Sequence, residues 1–302
     1  MSRSGHDRAP HRTPDEHVTR RRLLTTAAAT AGVAAVAVGG FGPSPRLAVA
    51  APASGTSLLD TIQQRGTLNV GMTLQFKPQM YRDDQTREPK GYDVAMLNQM
   101  ASDLKVKLEI QDQEFAGLIP ALLAGKVDII SVGLVGRPER AKTMWFSDPY
   151  VPYQQVVIVP TRSTARDVSA LDRRGARVTA LTGSTAADLA KRLFPRATIV
   201  ELEQQPAMLE VAAGRADGSI VEAYLAVPFV KQNRTAKILN PDKPFALEFG
   251  SYAVPRGDLD WLMWVNSWLR YWKGKGVPQK LYNDIIGPQL AGVPVYKDIP
   301  RY

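Results

Sequence analysis

Strand-like and helix-like segments alternate along this chain, and the alternation runs twice. Residues 68–74, LNVGMTL, alternate apolar and polar, the period of a half-buried strand. Over 91–104, Val94, Leu97, Met100, Ala101 and Leu104 share one helical face. Residues 105–110 alternate again with Val106, Leu108 and Ile110 inward, 115–124 reads as a helix closed by Gly125, and 127–134 as a buried strand. After Pro160 the rhythm repeats: strands at 177–181, 197–202 and 219–221, helices at 186–193, 207–213 and 222–230. Strand–helix–strand order favours a parallel sheet covered by helices. Its repetition predicts two α/β lobes, and a cleft between lobes is a favoured place for a small-molecule site. A helix at 258–273 carries Trp261, Trp264, Trp268 and Trp272 at spacings of three and four, which suits a buried stripe or a partner-binding face. From Gly287 the chain reads as irregular, with Pro288, Pro294 and Pro300.

The segment 125–150, GKVDIISVGLVGRPERAKTMWFSDPY, points to chemistry. An apolar strand stops at a glycine-bearing loop that carries arginines. An arginine fixed at a strand end can grip a carboxylate with two parallel, charge-assisted hydrogen bonds. Pro138, Glu139 and Arg140, then Phe146, Ser147, Pro149 and Tyr150, match a Pro-Glu-Arg and Phe-Ser-x-Pro-Tyr pattern. The block resembles the ligand-carboxylate segment of family 3 extracellular solute-binding proteins, the amino-acid receptors of ABC importers, and the resemblance covers roughly 57–288. It implies an α/β, two-lobed periplasmic-binding-protein fold of type II. The apolar segments 154–159 and 249–254 become the two crossover strands, and the first lobe is discontinuous. Lobe one then spans 56–158 plus 252–302, and lobe two spans 159–251.

The resemblance assigns roles residue by residue. Arg140 becomes the carboxylate clamp; spacing alone allows a surface salt bridge with Glu139 or Asp148 instead. Gly183-Ser184-Thr185 follows a strand and opens a helix, where N–H groups and the positive helix end favour an anion. An ordinary helix cap uses the same residues. In the family this turn faces the arginine from the other lobe, so Ser184 and Thr185 are candidates. Glu222 stands after GRADGSIV, where the family has an aspartate for the ligand ammonium, although a helix-opening glutamate is common for dipole reasons. Phe76 falls where the family covers the ligand side chain with an aromatic, or is a core phenylalanine. Thr73 sits where receptors for cationic amino acids can have an aspartate, and its neutrality argues against such ligands. Gly133 offers a carbonyl to an ammonium. Val135 stands where the family commonly has a hydroxyl residue, which makes the site less polar and suits an unusual amino acid, an N-modified one, or a carboxylate with a different cationic group. Arg137 replaces the family's threonine, at the pocket rim or in solvent.

Composition bounds the alternatives. The chain has no cysteine, and its only histidines are His6, His11 and His17, so the body holds neither thiolate nor imidazole for metal or triad chemistry. No cofactor is expected. Thr19-Arg20-Arg21-Arg22-Leu23-Leu24 matches a twin-arginine export signal, followed by an apolar run and Ala48-Val49-Ala50, an A-x-A cleavage pattern. Residues 1–50 are therefore expected to be a signal peptide, and the product periplasmic or secreted. That segment carries seven arginines and three acids, leaving about +5 of the formal +9. The charge is scattered, so nucleic acid is not an expected partner. The expected function is capture of an amino acid, or a similar small carboxylate, by a monomer that delivers it to the membrane subunits of an ABC permease. Two alternatives stay open. One is an enzyme like cyclohexadienyl dehydratase, with Glu222 as general acid; the other is a periplasmic sensor.

Overall fold

The computed structural model describes residues 56–294. Among them the elements run α1 (Leu58–Arg65), β1 (Thr67–Met72), β2 (Gln75–Phe76), β3 (Met80–Arg82), β4 (Pro89–Lys90), α2 (Tyr92–Leu104), β5 (Lys107–Asp112), α3 (Phe115–Leu123) and β6 (Ile129–Val135). Next come α4 (Pro138–Ala141), β7 (Met144–Phe146), β8 (Val151–Pro160), β9 (Arg177–Leu181), α5 (Thr185–Leu193), β10 (Thr198–Leu202), α6 (Gln204–Ala212) and β11 (Gly218–Glu222). The chain closes with α7 (Ala223–Gln232), β12 (Ala236–Leu239), β13 (Ala246–Pro255), α8 (Leu259–Gly274) and α9 (Val277–Leu281). The expected signal peptide at 1–50 and the last eight residues lie outside the described residues.

The doubled rhythm builds two parallel triplets, β5–β1–β6 and β10–β9–β11. They join in one strand path, β10-β9-β11-β8-β13-β6-β1-β5. The two long strands β8 and β13 supply the junction. They pair antiparallel with each other, β8 also with β11 and β13 also with β6. This is the two-lobed α/β fold with two crossover strands. All ten residues of β8 are buried, as a strand in the middle of a sheet requires.

Local chemistry explains the element ends. Lys105 takes the left-handed conformation (φ 58°) that closes α2, so β5 starts two residues later than the alternation suggests. Val106, Leu108 and Ile110 are only partly buried, because β5 ends the sheet. The Asp258 carboxylate caps two helices at once. It accepts from Trp261 N of α8 at 2.9 Å and from Ser57 Oγ and Leu58 N at the start of α1 at 2.8 and 2.5 Å. The tryptophan stripe faces inward. Trp261 and Trp268 are buried, and Trp264 and Trp272 pack partly buried against the same core. Their ring N–H groups are used: Trp261 donates to the Asp128 carbonyl at 3.1 Å, and Trp268 and Trp272 to the Asp103 carboxylate at 2.7 and 2.8 Å. Residues from early and late in the described segment thus pack on the β1–β5–β6 half. Residues 287–290, expected to be irregular, form one 3-10 turn.

Candidate functional site

The strand ends that follow β6, β9 and β11 converge next to the crossover strands. Ligand crevices of α/β sheets lie at such carboxyl ends. There Val132, Gly133, Val135, Arg140, Ser184, Thr185, Glu222 and Phe76 line one cavity, joined by Phe115, Tyr153 and Tyr224. Seven of the eight residues singled out from sequence and resemblance therefore meet. The eighth, Thr73, is buried and does not line the cavity. The cavity is about 30 Å³, room for roughly one water molecule. A larger open groove of about 610 Å³ lies on the β9 side, lined by Arg162, Arg166, Arg173 and Arg215 and by none of these eight residues.

Arg140 projects from the short helix α4, which Pro138 opens. It is buried, and neither Glu139 nor Asp148 is its described partner; Asp148 pairs with Arg270 at 2.8 Å. Both terminal nitrogens of Arg140 donate to carbonyls: Nη1 to Val135 at 3.1 Å and Nη2 to Gly183 at 2.8 Å. The second bond crosses from one half of the sheet to the other. Burial lowers the Arg140 pKa to about 10, the nearby Arg137 charge acts the same way, and Glu248 opposes both. The guanidinium remains charged at neutral pH. Arg137 does not line the cavity and forms an ion pair with Asp188 on α5.

The turn opposite is a helix cap with its donors in use. Ser184 Oγ accepts from Ala187 N at 3.2 Å and donates to the Leu181 carbonyl at 2.7 Å. Gly183, at φ 70°, gives its N–H to Glu201 at 2.9 Å, and Ser184 N bonds the Leu181 carbonyl at 3.2 Å. Thr185 Oγ1 donates to Glu248 at 2.9 Å. The expectation of free N–H groups here is not met at Gly183 or Ser184 in this closed arrangement.

Glu222 ends β11 and opens α7. Burial pushes its carboxyl up from the ordinary range and Glu248 adds to this; a bond from Gln155 works in the opposite sense. Gln155 Nε2 donates to Glu222 at 3.3 Å and to Glu248 at 2.9 Å. The register explains this sharing. Gln155 on β8 lies opposite Glu222 on β11, while Glu248 on β13 lies opposite Tyr153, two residues away on the same face. Phe76 is both a core residue and a cavity wall, with its ring 6.4 Å from that of Phe115. Tyr153 and Tyr224 stand 6.1 Å apart.

Sequence reasoning missed Phe115, Tyr153, Tyr224 and Glu248. Period two along β8 puts Tyr153 and Gln155 on one face, and that signal was available. Glu248 gave none, because its place depends on the pairing of β13 with β8.

Comparison with known proteins bears on the family and the fold. The profile of the bacterial extracellular solute-binding proteins, family 3, matches residues 68–288. A probable histidine-binding protein of Neisseria gonorrhoeae is 30% identical over 202 residues, covering 64% of this chain and 73% of its own. The arginine-binding extracellular protein ArtP of Bacillus subtilis is 27% identical over 238 residues, covering 76% and 89%. Among solved structures, the ancestral amino acid-binding protein AncCDT-1, a precursor of cyclohexadienyl dehydratase, superimposes with a TM-score of 0.70 at 32% identity, covering 76% of this chain and 100% of its own.

Proposed function

This chain belongs to the bacterial extracellular solute-binding proteins, family 3, and we propose that its cleft holds an α-amino acid by both charged ends. It is an extracytoplasmic amino-acid-binding protein that delivers its ligand to an ABC permease, and it is a binding protein rather than an enzyme. In our assignment Arg140 takes the ligand carboxylate, aided by Ser184 and Thr185, and Glu222 takes the ammonium, aided by the Gly133 carbonyl. Phe76 and Phe115 flank the ligand side chain, and Val135 shapes the wall. The observation that carries this is the convergence of one buried arginine and one half-buried glutamate on a single cavity. A buried charge is costly unless paired, and a zwitterion pairs both.

The ligand class follows from the walls. Two aromatic faces suit a flat or cationic side chain, and relatives are named for binding histidine and arginine. Thr73 does not line the cavity, and we give its neutrality less weight than the aromatic walls. We assign a cationic amino acid of the arginine–histidine class, bound by a monomer. Small-molecule pockets usually measure about 300–1,000 Å³, so capture requires the halves to part. We divide them as 56–158 with 252–302, and 159–251; the packing of α1 and α8 on the first half supports that division. Export by the twin-arginine route remains our reading of residues 1–50. Joint Arg20→Lys and Arg21→Lys replacement should leave the protein in the cytoplasm, and unchanged export would refute that route.

A thermal-shift panel of the common amino acids tests the ligand class. Excess ligand raises the midpoint by mass action, and arginine or histidine should give the largest rise. A rise with glutamate or leucine alone would refute the class. The raised carboxyl of Glu222 would also suit a general acid, so incubation with arogenate is the matching control, with no conversion expected.

A further inference from the structure

Behind the cavity wall lies a buried polar ring that ligand capture as described above does not use. Asp93, in the first turn of α2, is fully buried. Its Oδ1 accepts from the Tyr150 hydroxyl at 2.5 Å, and its Oδ2 accepts from Gln79 Nε2 at 2.7 Å. The Tyr150 hydroxyl also accepts the Gly133 N–H at 3.0 Å. Gln79 Nε2 gives its second proton to the Tyr153 hydroxyl at 2.5 Å, and that hydroxyl donates to the Val132 carbonyl at 3.3 Å. The Val132 carbonyl and the Gly133 N–H belong to one peptide unit. Two tyrosines therefore clasp that peptide from both ends, and both trace back to the two oxygens of one carboxylate.

The ring has one sense only. An ionised carboxylate accepts and cannot donate, so Tyr150 and Gln79 must both point their protons at it. Gln79 keeps that orientation although its own carbonyl oxygen is buried without a partner. The clasp is tight. Gly133 sits at φ 59°, and a Cβ there would overlap the Tyr153 hydroxyl. Val132, Gly133 and Tyr153 all line the cavity.

We propose that Asp93 is a positioning residue: ionised, it fixes the Val132–Gly133 peptide in the cavity wall, and protonation releases that peptide and weakens ligand capture. The ring stands on its own geometry; the effect on affinity rests on the capture function proposed above. Among the described residues, the phenols of Tyr92, Tyr150, Tyr153, Tyr224 and Tyr252 feel its charge. Neutral Gln79 and Ser131 complete its surroundings. Burial raises the Asp93 carboxyl to about 7, while the bonds from Tyr150 and Gln79 pull it down. The switch therefore falls near neutral pH, with the fixed wall on the alkaline side.

Two measurements test this. In the ligand-free protein, the Asp93 carboxyl carbon and the Gly133 amide are followed by NMR from pH 4 to 9. Both should move with one midpoint near 7. Tyr150→Phe should raise that midpoint, and Asp93→Asn should abolish the Gly133 transition. A carboxyl that titrates near 4, or a Gly133 signal indifferent to it, overturns the ring. Calorimetry with L-arginine then reads the coupling. Wild-type affinity should rise about tenfold from pH 6 to 8, a typical coupling between sites, and the Asp93→Asn profile should be flat. Flat wild-type binding overturns the coupling. Failure of arginine to bind at any pH refutes the ligand class instead, and the NMR titration still decides the ring.

Discussion

Single side chains carry the binding claim. Arg140 is satisfied by two carbonyls in the closed cavity, which a ligand carboxylate would replace with stronger, charge-assisted bonds. Arg140→Ala should abolish ligand-induced thermal shifts, and shifts of wild-type size would dispose of the clamp. Glu222→Gln should weaken amino-acid binding by about 2 kcal/mol, the scale of a hydrogen bond to a charged group. Unchanged affinity by calorimetry would remove Glu222 from the ammonium site. Asp93 leaves a mark on stability. Its folded pKa lies above the ordinary carboxyl value, so the native state holds its proton longer than the unfolded chain. The stability it contributes is complete below about pH 4 and is lost as pH rises through about 7. The loss is at most about 4 kcal/mol. Denaturant titrations should show wild type losing stability across that window relative to Asp93→Asn, and parallel curves would contradict the shift.

Elements set what was legible in the sequence. The strand–helix rhythm and the turn after β6 were readable because their signals are local: period two in β1, one apolar face in α2, Pro138 opening α4. The joining of both triplets in one strand path was not, since β8 and β13 pair across some ninety residues. Glu248 was hidden for the same reason; it meets Gln155 at a separation of 93 residues and Thr185 at 63. Arg137 is a third case. Sequence left it between pocket rim and solvent, and only the approach of α4 to α5 reveals Asp188 as its partner. That ion pair is partly exposed, and such pairs are worth about 0–1 kcal/mol. Asp188→Asn should therefore weaken arginine binding by no more than about fivefold. A loss as large as that of Arg140→Ala would show that the Arg137–Asp188 pair itself is needed for capture.

At the scale of the whole molecule, function requires two shapes. The cavity has room for about one water, and Arg140, Thr185 and Arg137 bond to partners on the facing half or on β13. In the proposed site a ligand would exchange these contacts for its own. The two crossover strands join the halves of the sheet path, β8 pairing with β11, β13 with β6, and each with the other, so the bend on opening is expected in β8 and β13. Gly250, packed against Gly133 where β13 meets β6, leaves no space there for a side chain. Gly250→Ala should destabilise the protein and shift its solution scattering toward a larger radius of gyration; an unchanged profile would put the pivot elsewhere.

A crystal structure of the protein grown with L-arginine decides whether Arg140 holds the ligand. The ligand carboxylate should lie within about 3 Å of the Arg140 guanidinium, with the α-ammonium on Glu222 and the side chain between Phe76 and Phe115. Arginine bound elsewhere, with Arg140 still donating to the Val135 and Gly183 carbonyls, would contradict it.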